Sequence, residues 1–310
     1  MDEQDATTYL QFRSLLFTIA YQMTGSVEDA EDIVSDVFLR YQRALDAGTT
    51  VESPRAFLTA TTTRLSIDYL RSARHNRETY LGPWLPEPLV ADTQQDVAAR
   101  AEVADSLSMA FLVLLESLSP VERAAFLLRE VFQYNYADIA TIIDKTAANC
   151  RQLVRRAKAR VADGTPRFEA SRADRDRIAR SFFAAVEHGD LDALVGLLAG
   201  DVVAYGDGGG VGPSLPHPVY GRERVVRLLG GLSEQLRRSN LHVEPVPVNG
   251  QPGATVRDQH GLLLNVFSLD IVDGQVQTVR SVINPDKLRH LGPLLDPRTL
   301  RGSAQPGEGS

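Results

Sequence analysis

The chain has 310 residues, 43% of them hydrophobic and 24% charged, with a formal net charge of −7. That length suits two or three compact units, and the composition is that of ordinary globular domains rather than a disordered or fibrous chain. No run of about 18 apolar residues is present, so no membrane span is expected. The acidic start Met1-Asp2-Glu3-Gln4-Asp5 lacks the apolar stretch of a secretory signal. Cys150 is the only cysteine, which excludes a disulfide framework and a cysteine-cluster metal site. The expectation is a cytoplasmic protein with no metal, no cofactor and no membrane partner.

The charge is unevenly distributed. Residues 1–46 hold three basic and nine acidic side chains, whereas residues 145–160 hold Lys145, Arg151, Arg155, Arg156, Lys158 and Arg160 and no acid. Blocks of opposite sign point to different partners, although solvated helix faces account for many such runs.

In chain order, residues to about 80 read as helical. Val27, Ala30, Ile33, Val34, Val37, Phe38, Tyr41 and Leu45 recur at three- and four-residue spacing, which predicts an amphipathic helix over 27–45, with Ser26 and Asp29 resembling a capping box at its start. Glu28, Asp32 and Asp36 share one face of that helix, an acidic stripe that suits a basic protein surface and repels phosphate. Ser53-Pro54 opens a further helix through Tyr69-Leu70, and Arg64, Arg71, Arg74, His75 and Arg77 form a basic run that begins inside it. Residues 81–96, with Gly82, Pro83, Pro86 and Pro88, read as a linker, and Leu81, Trp84 and Leu85 suggest one that packs against something.

Residues 107–161 are helical again. Ser119-Pro120-Val121-Glu122 supplies an N-cap, a proline at the first helical position and a glutamate at the third. A short helix, Tyr136 to Ile143, a break at Asp144-Lys145, and a basic helix from Thr146 to about Val161 have the layout of a helix-turn-helix. On the last helix Cys150, Leu153, Val154, Ala157 and Val161 share an apolar face. Ala148, Arg151, Gln152 and Arg155 lie opposite, with Asn149 and Arg156 at the flanks. Guanidinium and amide groups suit guanine and adenine edges in the major groove, but a plain helical hairpin has the same pattern. The thiol of Cys150 is expected to be buried.

Residues 172–188 and 190–199 look like helices, Asp201 to Tyr205 like a strand, and Gly221 to Leu236 like another helix. Asp207-Gly208-Gly209-Gly210 is an unusually flexible loop. Residues 254–283 give strand patterns with a hairpin turn at Asp273-Gly274. The class is α+β.

Several of these segments together resemble a known family. Residues 115–160, with Leu118-Ser119-Pro120-Val121-Glu122-Arg123, Tyr136-Ala137-Asp138-Ile139-Ala140 and Asn149-Cys150-Arg151-Gln152, are similar to region 4 of extracytoplasmic-function (ECF) sigma factors. Residues 28–43 resemble region 2.2, and Arg55-Ala56-Phe57-Leu58 through Asp68-Tyr69-Leu70-Arg71 resembles the part that melts and reads the −10 element. Trp84-Leu85-Pro86-Glu87-Pro88, Asp207-Gly208-Gly209-Gly210 and Asn284-Pro285-Asp286-Lys287-Leu288 are similar to the SigJ-like subgroup, in which a SnoaL-like domain follows region 4 and regulates it from the same chain.

The resemblance implies a multidomain protein with two all-α sigma domains and an α+β NTF2/SnoaL-like cone with a curved sheet. It divides the chain into region 2 (1–80), a linker (81–106), region 4 (107–162), a second linker (163–171), the SnoaL-like domain (172–289) and a tail (290–310). It implies RNA polymerase core as partner, with Glu28, Asp32 and Asp36 on the β′ clamp helices and region 4 at the β flap. It places Arg64, Arg71, Arg74 and Arg77 at the −10 element, where relatives often carry a small polar residue at the Arg64 position. Asn149, Arg151, Gln152, Arg155 and Arg156 fall at the −35 element. Trp84, Asp207, Gly208, Gly209, Gly210, Asn284, Pro285, Asp286, Lys287 and Leu288 become regulatory, through contact between the C-terminal domain and the sigma domains. Asp286 and Lys287 are expected to pair with sigma-domain charges and Leu288 to cover the linker.

A cone of this type encloses a pocket that a small ligand can enter, and Tyr205, Asp207, His217 and Tyr220 are the polar groups expected near it. No catalytic residue is assigned. A stand-alone helix-turn-helix regulator and a cyclase or isomerase with a helical appendage are the competing readings.

Overall fold

The computed structural model describes residues 3–78, 80–90, 107–162, 171–211 and 215–298, leaving aside the side chains of 3–6, 74–78 and 162. The chain divides into two compact units. One is built from residues 1–78 and 111–165, the other from 79–110 and 166–310.

The first unit is all helical. Helices α1 (Glu3–Thr24), α2 (Val27–Asp46) and α3 (Pro54–Glu78) pack together. Ser26 caps α2 by accepting from the Asp29 amide, as its spacing predicts. The apolar stripe of α2 is buried through Ala30, Ile33, Val34, Val37, Phe38 and Tyr41. Helix α3 runs eight residues past Leu70, because the basic stretch after it contains no glycine or proline to stop it.

Helices α4 (Met109–Leu115), α5 (Pro120–Phe126), α6 (Tyr136–Ile143) and α7 (Ala147–Ala162) follow. A five-residue π turn, Leu127–Val131, extends α5 and was not legible in the sequence. Ser119 and Glu122 form the reciprocal capping box at α5. Asn135 caps α6, and Asp144 closes it in the left-handed region at φ 52°, setting the tight turn into α7.

The second unit is α+β. Helices α8 (Arg172–His188), α9 (Leu191–Leu197) and α10 (Arg222–Arg238) accompany strands β1 (Leu198–Asp207), β2 (Val219–Tyr220), β3 (Leu241–Val248), β4 (Gln251–Asp258), β5 (Leu263–Val272) and β6 (Gln275–Val282). The sheet order is β2-β1-β6-β5-β4-β3, with β1 parallel to β6 and the other pairs antiparallel. Register shifts in the β1/β6, β4/β5 and β5/β6 pairs bend the strands, the usual source of curvature in such a sheet. Phe182, Phe183, Leu194, Val225, Leu229, Leu236, Phe267, Leu269 and Val279 belong to the core between the helices and the sheet. The Asp273-Gly274 turn has both residues at positive φ (50° and 75°), the geometry of a two-residue hairpin.

Strand β3 was not expected. Pro245 and Pro247 argue against a strand in the middle of a sheet, but β3 is an edge strand, where a missing N–H costs little.

Glu122 does more than cap α5. It accepts from the Ser119 amide and hydroxyl and pairs with Arg160 (2.9 Å) and Arg156 (3.3 Å) of α7. Burial works against its charge, yet the Ser119 hydrogen bonds and the two guanidinium groups hold the carboxyl below the usual glutamate range. A depressed carboxylate stabilises the fold fully above its unfolded value of about 4.3 and loses that contribution as pH falls through the folded value. Glu122→Gln should therefore cost about 0.5–2 kcal/mol at neutral pH, and wild type and variant should converge on acidification. Urea unfolding followed by circular dichroism from pH 7 to about pH 3 tests this; a difference that persists at the acid end would assign the loss to something other than the carboxylate charge.

Candidate functional site

The described part of the proline-rich linker, residues 80–90, is held by the second unit, and two buried charges do most of the holding. Asp207, at the C-terminal end of β1, is 1% exposed, and Lys287, in the short 3-10 turn Pro285–Lys287, is 7% exposed. They pair at 2.6 Å. Asp207 also accepts from the Leu85 amide (2.8 Å), the Gly209 amide (3.3 Å) and the Tyr80 hydroxyl. Lys287 donates to the Leu85 carbonyl as well, and its ammonium stands 4.1 Å from the Trp84 ring centroid and 4.9 Å from that of Tyr80. A carboxylate with four donors and an ammonium set between a carbonyl and two aromatic faces are buried charges with their partners in place. Burial, and then the Asp207 carboxylate, push the Tyr80 phenol far above its ordinary range, so Tyr80 keeps its proton and donates.

The glycine loop and the Asn284 segment are parts of this same clamp. Asn284 donates to the Tyr80 oxygen (2.8 Å), and its backbone amide and that of Ile283 both bond to the Asp207 carbonyl (3.1 and 2.8 Å). Gly209 has φ +56°, and a Cβ there would lie 2.4 Å from Asn284 Nδ2. Only glycine fits both the backbone and the space. Gly210, at φ +77°, leaves room for the Leu81 side chain in the same way.

The linker is anchored a second time further along. Leu89 exchanges hydrogen bonds with Asn249, its amide to the side-chain oxygen (2.9 Å) and its carbonyl from the Asn249 amide (2.8 Å). Asn249 Nδ2 donates to the Leu107 carbonyl (2.8 Å), so one turn residue between β3 and β4 ties down both ends of the 90–107 stretch. His290 bonds to the Pro88 carbonyl at 2.9 Å.

Two expectations about this segment change. Lys287 pairs with Asp207 of its own unit, not with a sigma-domain charge, because Asp207 is the carboxylate within reach of the buried 3-10 turn. Asp286 is exposed and bonds to Arg289, so its side chain lies outside the clamp. Trp84, Asp207, Gly209, Asn284 and Lys287 are brought together, and Leu288 is buried. Gly208 and Pro285 hold the backbone between these residues. Leu85, expected to pack, is buried, whereas Tyr80, Asn249 and His290 were missed. Tyr80 lies four residues before the tryptophan motif, whereas nothing in the sequence marks Asn249 beyond a turn signal at Asn249-Gly250.

Between α10 and the sheet lies a cavity of about 410 Å³. Its wall includes Leu215, Leu228, Leu232, Val256, Phe267 and Ile283, with Asn265 and Ser281 as a mutually bonded polar pair (2.8 and 3.1 Å). Of the four polar residues expected there, Tyr205 alone contributes to the wall. Asp207 is turned to the linker, His217 is exposed in its proline-flanked loop, and Tyr220, also exposed, borders a separate shallow depression with Arg222. No carboxylate or histidine stands among the described wall residues.

In the first unit α7 has the two faces its sequence predicts. Cys150, Leu153, Val154, Ala157 and Val161 are buried, while Asn149, Arg151, Gln152, Arg155 and Arg156 are exposed. Burial raises the Cys150 thiol pKa, so it packs as an unreactive neutral group. Arg151 lies over the Tyr136 ring (5.4 Å), and Arg156 is engaged by Glu122. On α2, Glu28, Asp32 and Asp36 are exposed, with Asp36 near Arg40 (3.9 Å) and with Leu39 beside them at 48% exposure.

The basic run of α3 is less uniform than its sequence. Arg71 faces Asp68 at 3.4 Å, and the side chains of Arg74 and Arg77 lie outside the described residues. Arg64 donates from Nε to the Ile142 carbonyl and from a terminal nitrogen to the Thr141 carbonyl, both at 2.8 Å. Those carbonyls end α6, where a helix has unpaired acceptors and a negative dipole end. In this structure Arg64 therefore serves as a cap on α6, a tertiary contact that no local pattern announces. Thr59 with Tyr134 (3.1 Å) and Arg123 with the Met23 carbonyl (2.5 Å) add further ties between α1–α3 and α5–α6 and the segment joining them.

Comparison with known proteins agrees with this architecture. Residues 8–76 match Sigma-70 region 2, and residues 108–161 match Sigma-70 region 4. The chain is 34% identical over 293 residues to the ECF RNA polymerase sigma factor SigJ of Mycobacterium tuberculosis, covering 91% of this chain and 93% of that one. The crystal structure of M. tuberculosis SigJ superposes with a TM-score of 0.74 at 32% identity, over 92% of this chain and 98% of that chain. Among the described residues no helix is long and apolar enough to cross a membrane, and no group of three potential metal ligands occurs. Two sigma regions in the correct order, with a clamped linker segment between them and an α+β cone after them, over nearly the full length of a sigma factor, assign this chain to the extracytoplasmic-function sigma factors, the subunits that direct core RNA polymerase to specific promoters.

Proposed function

We propose that the C-terminal cone regulates promoter use by gripping the linker between regions 2 and 4. The observation that carries this reading is the buried Asp207–Lys287 pair closed on Tyr80, Trp84 and Leu85. A sigma factor must present its two DNA-reading regions at a fixed separation along the promoter. A tether held along one path by the cone restricts the separations those regions can reach, and release of the clamp widens them. The cavity wall carries no carboxylate or histidine among the described residues, which favours a binding or regulatory cone over acid–base catalysis. A polymerase partner implies a cytoplasmic location.

Within the sigma regions, the exposed acids Glu28, Asp32 and Asp36 face the basic β′ clamp helices of core polymerase, with Leu39 as an apolar centre, and region 4 meets the β flap. Arg151, Gln152 and Arg155, with Asn149 at the flank, read the −35 element. Arg156 has a lesser part because Glu122 holds it. Arg71, Arg74 and Arg77 approach the −10 element. Arg64 joins them only after leaving the end of α6.

Four experiments test this reading. In transcription with core polymerase on one promoter, Asp207→Asn and a chain cut just before Asn284 should both raise transcript level without moving the start site. Trp84 is the only tryptophan, so its emission should shift to the red in Asp207→Asn as the linker gains solvent. Unchanged transcription together with shifted emission would show a clamp without a regulatory role. Arg151→Ala should cost about 1–3 kcal/mol of promoter affinity and relax preference at one base position, read by competition among −35 variants. Reversal of Asp32 and Asp36 to lysine should weaken co-purification with core polymerase while the circular dichroism spectrum stays that of the wild type.

A further inference from the structure

We propose that Asn249 sets the length of the tether between regions 2 and 4, by holding Leu89 and Leu107 together on one residue. The inference rests on the clamp reading given above and names the residue that determines how much of the linker is in play.

Asn249 and Gly250 form the two-residue turn between β3 and β4, both at positive φ (52° and 72°). Such a turn accepts glycine as well as asparagine at its first position, so the backbone alone does not call for this side chain. The side chain is nevertheless buried, and both ends of its amide are spent on the linker. Its oxygen accepts from the Leu89 amide (2.9 Å), and its nitrogen donates to the Leu107 carbonyl (2.8 Å). The Asn249 backbone amide adds a bond to the Leu89 carbonyl (2.8 Å), and Val90 pairs with Val248 beside it. A primary amide carries an acceptor and donors on one planar group, so it can grip two chain segments at once.

Where the two anchors fall along the chain gives the staple its consequence. Tyr80, bonded to Asp207, lies two positions after the last residue of α3. Leu107, bonded to Asn249, lies two positions before the first residue of α4. The cone therefore takes hold of the chain where it leaves region 2 and again where it enters region 4. Between the anchors, Leu85 and Leu89 are joined through Pro86 and Pro88, about 12 Å of extended chain at the rise that proline favours. The 17 residues between Leu89 and Leu107 begin and end at the same asparagine and add nothing to the span. A coil of that length has an r.m.s. reach of roughly 23 Å, about seven base-pair steps at ~3.4 Å each. With the staple closed the tether is a short proline strut; with it open the tether gains that whole reach.

The test is transcription with full-length protein and core polymerase on a promoter series that differs only in the spacing between the −35 and −10 elements. Wild type should have a narrow optimum. A short Gly-Ser segment inserted between Gln95 and Asp96 should leave that optimum and its width unchanged, because the insert lies in the bypassed stretch. Asn249→Gly keeps the turn and removes both side-chain bonds, and should widen the optimum by at least one base pair on each side. The insertion should widen it further, but only in the Asn249→Gly background. Asn249→Asp keeps the acceptor for the Leu89 amide and loses the donor to Leu107, so it should widen the optimum as well. A variant that merely folds less well loses transcript at every spacing alike, and thermal unfolding checks both. An unchanged optimum in the two Asn249 variants overturns the proposal, and so does an insertion that widens the optimum of the wild type. Asp207→Asn separates the two readings. Raised transcript there, with an unchanged spacing profile in both Asn249 variants, keeps the clamp as a regulator and strikes only the tether length.

Discussion

The path of the linker over the second unit depends on the buried ion pair of Asp207 and Lys287. Asp207 and Lys287 are brought together by the last residue of β1 and the 3-10 turn after β6, two segments joined side by side through parallel strand pairing. Neither charge is tolerable inside a protein alone. Each has its full set of partners only when linker residues 80–85 are in place to supply a hydroxyl, an amide, a carbonyl and two ring faces. The linker therefore completes the cone chemically as well as covering it, and the glycines of the Asp207 loop and Asn284 follow from the geometry that completion demands.

Much of this architecture was legible in the sequence, for reasons that can be named. The α2 stripe, the Ser119 capping box, the Asn135–Asp144 helix and the two-faced α7 are local patterns, and the structure keeps them within a residue or two. The Asp273-Gly274 hairpin is local too. The missed features are those that depend on distant neighbours. Strand β3 contains two prolines and exists because it lies at the sheet edge. The π turn after α5 has no local sequence signal. The residues of the clamp were marked by resemblance, yet their pairing was expected to cross to a sigma domain, since spacing along a chain cannot show that Asp207 and Lys287, 80 positions apart, end side by side. Tyr205, Asp207, His217 and Tyr220 were grouped as pocket residues because polar side chains near one loop look equivalent in a sequence; Asp207 ends its strand, where the linker takes up its carboxylate, and His217 and Tyr220 are exposed.

Arg64 shows the same limit from another direction. A basic residue on a helix expected to approach DNA reads as a phosphate contact, and its charge fits that role. The end of α6 offers a competing partner, two carbonyls at 2.8 Å with a helix dipole behind them. An arginine can hold one or the other. If the family position ordinarily carries a small polar side chain, the guanidinium here adds a tie between α3 and the helix-turn-helix that such a residue cannot reach to make.

The chemical character of the clamp suits a device that must open. A buried ion pair recovers in Coulomb attraction and hydrogen bonds roughly what it loses in desolvation, so it specifies geometry without adding much net stability. An apolar plug of the same area would hold the linker more tightly and would leave a hydrophobic surface exposed on release. The charged version offers water two groups that solvate readily once separated, which lowers the cost of the open state. The aromatic rings contribute on the closed side only, since the cation–π attraction of Lys287 for Trp84 and Tyr80 falls away when the ammonium is hydrated. The clamp thus draws its selectivity from fit more than from strength, which keeps its opening within reach of modest forces.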